Sequence, residues 1–190
     1  MVETAAHLVD EVFPKVPVRQ WVLSLPKRLR YFLAHDADLL IGVLRIFLSC
    51  VEKALHTCCP AAPEQARPGA VTFVHRFGSA LNGNIHFHCY VIDGVFSAGE
   101  GALRFDQAII SREAIAKVQA EVRQRVLRLF KRRALLSPED VDTMRQWRHE
   151  GGFPLNADVT VSAWDRAGLE RLFRYCARPI FASKRLQWIE

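Results

Sequence analysis

His86 and His88 are separated by a single residue, in the run Asn84-Ile-His-Phe-His-Cys-Tyr-Val-Ile-Asp93. An extended strand sends alternate side chains to opposite faces, so the two imidazoles share a face, about 7 Å apart along the chain. Ile85, Phe87, Cys89 and Val91 fall on the other face and form an apolar row suited to a core. Two imidazoles above an apolar underside are a way for a sheet to present a divalent metal. Imidazole nitrogen suits Mn, Co, Ni and Zn, and cleavage of a phosphodiester needs a Lewis acid on a non-bridging oxygen. A third ligand is wanted. His75 is the first choice, because Val71, Phe73 and His75 share one face of a neighbouring predicted strand. Gln20, on an earlier strand, is the second choice. Asp93, just past the histidine strand, is placed to ligate or to orient an imidazole from behind.

Tyr175 is the candidate nucleophile, in Arg174-Tyr-Cys-Ala-Arg-Pro179. Arg171 lies one helical turn earlier, Arg174 is adjacent and Arg178 is nearly one turn later. Such cations favour a bound phosphate and stabilise a phenolate. A tyrosine that attacks a phosphodiester stores the bond as a phosphotyrosine and releases a 3′-hydroxyl for later rejoining. Each feature alone has an ordinary explanation: His-x-His pairs arise by chance in strands, and helix surfaces carry tyrosines. Together, a metal at His86 and His88, a tyrosine hydroxyl and a basic surface suggest cleavage of a DNA strand through a covalent intermediate. His7, His35, His56 and His149 read as surface or helix-end residues.

The composition fits such a partner. The chain has 190 residues, 50% of them hydrophobic, and a net charge of +6, which favours a polyanion. The charge is uneven: Arg112 to Arg133 holds eight Lys/Arg against two Glu, and Arg171 to Arg185 holds five Lys/Arg and no acid. Arg112, Arg123, Arg125 and Lys131 on the first stretch, with Arg171, Arg174 and Arg178 on the second, are the candidate DNA contacts. Tyr31, Trp21 and Trp164 are candidates for stacking on unpaired bases. The five cysteines, Cys50, Cys58, Cys59, Cys89 and Cys176, form no C-x-x-C pair, which argues against a disulfide scaffold or a four-cysteine zinc knuckle. No Walker-type loop and no H-E-x-x-H motif occurs. The run Leu39–Val51 is short and contains Arg45, so it reads as a buried helix, and no membrane partner is expected. A reducing, cytoplasmic setting, nucleoid-associated on DNA, is the expectation.

The positioning elements follow from periodicity. Residues 4–12 read as a short helix, and Val18–Leu25 as a strand between Pro17 and Pro26. Asp36 caps a helix to about His56, and residues 57–69, with three prolines, read as a linker. Val71–Phe77 and the histidine strand form a hairpin through Gly78-Ser-Ala-Leu-Asn-Gly83, and Asp93-Gly94 turns the chain towards a short strand at 102–105. A basic helix spans Arg112–Lys131. Ser137-Pro-Glu-Asp140 starts another that ends near Gly151. Val159–Ala163 adds a strand, and Asp165 caps a last helix to about Cys176, with Pro179 as its stop. The expected fold is α+β, one domain over residues 1–190, with a central antiparallel sheet, helices mainly on one face and the other face open for a ligand.

Val-Arg-Gln-Trp-Val-Leu-Ser-Leu-Pro26, Phe-Val-His-Arg-Phe-Gly-Ser-Ala-Leu-Asn82, His-Phe-His88 with Val-Ile-Asp-Gly-Val-Phe96, and Arg-Tyr-Cys-Ala-Arg-Pro179 together resemble the rolling-circle transposases of bacterial insertion sequences, within the HUH endonucleases. The resemblance runs from Met1 to about Gln187. It implies a palm of five strands akin to the RNA-recognition fold, with Mg or Mn held by His86 and His88. It also implies Tyr175 as the nucleophile that nicks and joins single-stranded DNA at the ends of the element through a 5′-phosphotyrosine. Self-association is a further option. Two departures stand out. Two-tyrosine relatives carry their other tyrosine where this chain has Arg171, and Asn84 stands where many relatives have a histidine. Full members also carry a cysteine-rich zinc-binding segment before the region of Met1 and more chain after Glu190, so the sequence is expected to be a piece of a longer protein. A DNA-binding remnant unable to transpose and an unrelated metal-binding protein are the alternatives.

Overall fold

The computed structural model describes residues 2–78, 82–99 and 101–177. The chain runs α1 (Val2–His7), a π turn (Leu8–Val12), β1 (Val18–Ser24), α2 (Lys27–His35) and α3 (Ala37–Cys58). It continues through β2 (Ala70–Phe77), β3 (Gly83–Ile92), β4 (Gly94–Ala98), β5 (Leu103–Gln107), α4 (Arg112–Arg132) and α5 (Pro138–Gln146). A 3-10 turn (His149–Gly152), β6 (Leu155–Asn156), β7 (Thr160–Val161) and α6 (Arg166–Cys176) complete the order.

The architecture is α+β, a central antiparallel sheet flanked by helices. The main sheet has strand order β2-β3-β1-β6, with β7 also paired to β1, and β4-β5 form a separate hairpin. The longest strand, β3, lies between β1 and β2. Its register sets Ser24, His86 and His75 side by side across three strands, and next to them Val22, His88 and Phe73. Alternation then gives each face its character. Trp21, Leu23, Leu25, Ile85, Phe87, Cys89 and Val91 join one buried cluster with side chains of α2, α3, α4 and α5. Val18, Tyr90 and Ile92 join a second cluster with Ala5, Val9, Phe13, Leu169, Phe173 and Cys176.

Helices therefore lie on both faces, which corrects the expectation of helices mainly on one. α6 and the N-terminal segment cover only part of the histidine face, over Tyr90 and Ile92. The end carrying His75 and His86 stays partly open.

The helix starts rest on short polar side chains. Asp36 accepts from the Leu39 N–H at 2.8 Å, Ser111 from Ala114 at 3.2 Å, Ser137 from Asp140 at 3.1 Å and Asp165 from Gly168 at 2.8 Å. Each satisfies one orphan N–H of a first turn. Gly168 is bound to this cap sterically, since a Cβ there would come within 2.1 Å of the Asp165 carboxylate.

α2, β4 and β6 were not among the expected elements. α2 buries only Leu29 and Leu33, one i,i+4 pair, too short a repeat to stand out in a nine-residue segment. α5 stops at Gln146 rather than near Gly151. Residues 79–81 of the expected hairpin connection, and the expected stop at Pro179, lie outside the described residues.

Candidate metal centre and tyrosine

Three imidazoles converge at the open end of the sheet. Ring centroids are 5.0 Å apart for His75–His86, 4.7 Å for His75–His88 and 5.0 Å for His86–His88. The cause is the β2–β3 register, which places His75 opposite His86 and one strand over from His88.

Backbone carbonyls orient two of the rings. His86 Nδ1–H donates to Asn84 O at 2.8 Å, which leaves its Nε2 lone pair free. His75 Nε2–H donates to Cys176 O at 3.0 Å, which leaves Nδ1 free and links β2 to the end of α6. A carbonyl behind a ring nitrogen is how ligating histidines are commonly held.

His88 is the most buried of the three. Burial, then the neighbouring His75 and His86, lower its pKa to about 4. His86 is lowered too, by burial first, partly opposed by its bond to Asn84. Both rings are thus neutral at pH 7, the form that ligates a metal. A set of neutral nitrogen donors on a rigid sheet fits a divalent cation.

A pH dependence follows. The unfolded chain takes a proton at its histidines near the ordinary 6.5, while folded His88 resists until about 4. The His88 contribution is therefore complete above about 6.5 and is lost as the pH falls towards 4. Between pH 7 and 4.5 the metal-free protein is expected to lose up to about 3 kcal/mol through this ring, at about 1.4 kcal/mol per unit. Urea midpoints at the two pH values measure it, and His88→Gln should flatten the difference. An equal loss in both proteins would contradict this origin.

Behind His88 runs a hydrogen-bonded chain that sequence reasoning missed in part. Gln20 Nε2–H donates to His88 Nδ1 at 3.1 Å and to the Tyr90 hydroxyl at 2.9 Å. Tyr90 donates to Leu172 O at 3.1 Å, and its oxygen lies 3.1 Å from Cys176 Sγ. Gln20 thus reaches His88 from behind rather than standing beside it. With the amide in this sense, the His88 proton sits on Nε2. With the amide turned end for end, its oxygen accepts from His88 Nδ1–H and from the Tyr90 hydroxyl in place of Leu172 O, which frees Nε2 for a metal. Tyr90 is fully buried, packs on Phe173 with centroids 4.8 Å apart, and fastens α6 to the sheet. Its signal in the sequence was its place two residues after His88 on the same strand face.

Tyr175 lies on the last turn of α6, 62% exposed, with its ring centroid 6.4 Å from that of His88. The buried face of α6 is Leu169, Phe173 and Cys176, so Tyr175 sits at its margin, facing the open end. Arg171 is exposed and Arg174 pairs with Glu170 at 2.5 Å. Arg178 lies outside the described residues. Arg30, which the sequence did not single out, donates to Leu25 O at 2.7 Å and bears electrostatically on His86, so it stands at the same end.

The remaining candidates are elsewhere. Asp93 is five residues beyond His88, roughly 16 Å along the strand. Its carboxylate takes two bonds from Arg19, at 2.9 and 2.8 Å. Arg19 also donates to Ala157 O at 2.8 Å, so Asp93 locks the far end of the sheet, away from the three imidazoles. Arg112, Arg123, Arg125 and Lys131 ride on α4, which packs through Val118, Val122 and Phe130 into the cluster on the other side of the sheet. Arg123 donates to the carbonyls of Met144, at 2.6 Å, and Arg145, closing the end of α5. Arg125 reaches Ser49, Cys50 and Glu121. These two guanidinium groups are committed within the protein because α4 lies flat on α3 and α5. Trp21 is fully buried in the core, beyond reach of any base, whereas Tyr31 and Trp164 are 69% and 82% exposed.

The family model described as "Putative transposase" matches residues 69–190, which contain all three histidines and Tyr175. No curated protein and no solved structure matches the chain. Among the described residues, no helix is long and apolar enough to cross a membrane.

Proposed function

Because the chain belongs to this transposase family, we propose that it nicks and rejoins single-stranded DNA at the ends of its element, as an HUH endonuclease, through a 5′-phosphotyrosine on Tyr175. The observation that carries this is the three-imidazole cluster at the open end of the sheet with the Tyr175 ring 6.4 Å from His88.

His86 and His88 would hold the divalent ion, with His75 as third donor. Mg or Mn there supplies Lewis-acid polarisation of a non-bridging phosphate oxygen. The chain's own residues supply the rest. Tyr175 Oη attacks phosphorus, the bond from phosphorus to the 3′-oxygen breaks, and that oxygen takes up a proton as a free 3′-hydroxyl. The phenolic proton goes to solvent. One phosphodiester is exchanged for another, so attack of a 3′-hydroxyl on the phosphotyrosine reverses the step and rejoins the strand. Arg171, on the helix that covers part of the histidine face, and Arg30, at the same end of the sheet as His86, hold strand phosphates by charge-assisted hydrogen bonds. Tyr31 and Trp164 offer exposed rings for unpaired bases.

The test uses labelled single-stranded oligonucleotides spanning the ends of the element, with Mn²⁺. We expect a product with a free 3′-hydroxyl and a protein-blocked 5′ end, lost on chelation and reduced by about 100-fold or more in His86→Ala. Salt-sensitive binding with no cleavage would instead identify a DNA-binding remnant.

A further inference from the structure

The donors His75, His88 and Cys176 lie within 4.8 Å of one another, and this set replaces His86 of the three donors just proposed for the nicking ion with a thiol. It draws on three elements, β2, β3 and α6. Cys176 is buried, with its Sγ 3.1 Å from the Tyr90 hydroxyl and its carbonyl oxygen bonded to His75. Two imidazoles and a thiol are a soft donor set. The thiolate turns the selection to Zn²⁺ or Co²⁺, because Mg²⁺ and Mn²⁺ bind sulfur poorly. Tetrahedral coordination at about 2.0–2.3 Å puts donors roughly 3.3–3.8 Å apart, so closure by about 1 Å completes the site. The fourth position falls to water.

We infer that His75, His88 and Cys176 form a site for a thiophilic divalent cation, with Zn²⁺ its ligand, that fastens the end of α6 to the sheet. The cation takes the place of the thiol proton, which passes to solvent. Two consequences follow from geometry. His75 and His88 belong to both donor sets, so a cation held with Cys176 withdraws them from His86. Cys176 also directly follows Tyr175, so a cation bound to its sulfur fixes the turn that carries the hydroxyl. Zn²⁺ is therefore an inhibitor of the reaction rather than its cofactor. This last consequence rests on the proposed nicking function; the site itself does not.

Co²⁺ titration of the full chain tests the site without DNA. A thiolate-to-cobalt charge-transfer band in the near ultraviolet is expected in the wild type and in His86→Ala. It should vanish in Cys176→Ser and weaken by at least about tenfold in apparent affinity in His75→Ala. Added Zn²⁺ should bleach it. Circular dichroism of each variant checks that the fold persists, and Cys58→Ser serves as a control that should keep the band. No band in the wild type, or a band that survives Cys176→Ser, overturns the proposal. Because the readout needs no cleavage, it stands or falls separately from the nicking reaction.

Discussion

Tyr175→Phe is expected to abolish DNA cleavage while leaving the fold intact. The substitution removes one oxygen, the atom assigned to attack phosphorus. Loss of a covalent nucleophile in a site of this kind costs at least about a thousand-fold in rate. The stability cost should stay within about 0.5 kcal/mol, because Tyr175 is 62% exposed and the buried side of α6 is carried by Leu169, Phe173 and Cys176. Binding of single-stranded DNA should persist, since the cations and exposed rings are untouched. Cleavage rates from a denaturing gel and a urea melt measure the two halves of this result. Cleavage close to the wild-type rate would remove Tyr175 from the chemistry.

Asp93→Ala should do the reverse, damaging the fold far more than the chemistry. Its carboxylate is the two-point partner of the Arg19 guanidinium, and the Asp93 and Arg19 side chains are 7% and 13% exposed. Removing one partner strands the other charge in a partly dry site, which typically costs about 3–5 kcal/mol. Asp93 also joins elements through its backbone: its N–H donates to Pro17 O and its carbonyl accepts from Ala108 N–H. Denaturant unfolding should show the full loss, and Asp93→Asn a smaller one. Below the melting transition, Mn²⁺ affinity should match the wild type. A fall in metal affinity at unchanged stability would return Asp93 to the role of orienting an imidazole.

These two residues show where the sequence was legible. The spacing of His86 and His88 forces them onto one face of any strand, and His75 could be placed beside them from the alternation of Val71, Phe73 and His75. The helices starting after Asp36, Ser137 and Asp165 were visible because each pairs a capping side chain with a following apolar period. Asp93 was misleading because sequence proximity to His88 is not spatial proximity: five residues of strand carry it to the opposite end of the sheet. Arg123 and Arg125 read as a solvent-facing basic stripe, yet, beside Glu121 on α4 itself, α3 and α5 supply acceptors that absorb them, and these are remote in sequence. The chain from Gln20 through Tyr90 to Cys176 was hidden for the same reason. Its members lie on three elements, and only the β1–β3 register and the docking of α6 bring them within hydrogen-bonding distance. Coverage of part of the histidine face by α6 likewise depends on tertiary packing, here of Phe173 against Phe13 and Tyr90.

The central claim is a covalent bond between Tyr175 and a DNA 5′-phosphate. It is tested most directly by incubating the chain with single-stranded DNA from the element's ends and Mn²⁺, digesting with trypsin and nuclease, and sequencing the nucleotide-bearing peptide by mass spectrometry. We expect the peptide beginning at Tyr175 to carry a 5′-linked nucleotide on the tyrosine oxygen. A nucleotide on another residue, a 3′ linkage, or DNA cleaved with no adduct would contradict it.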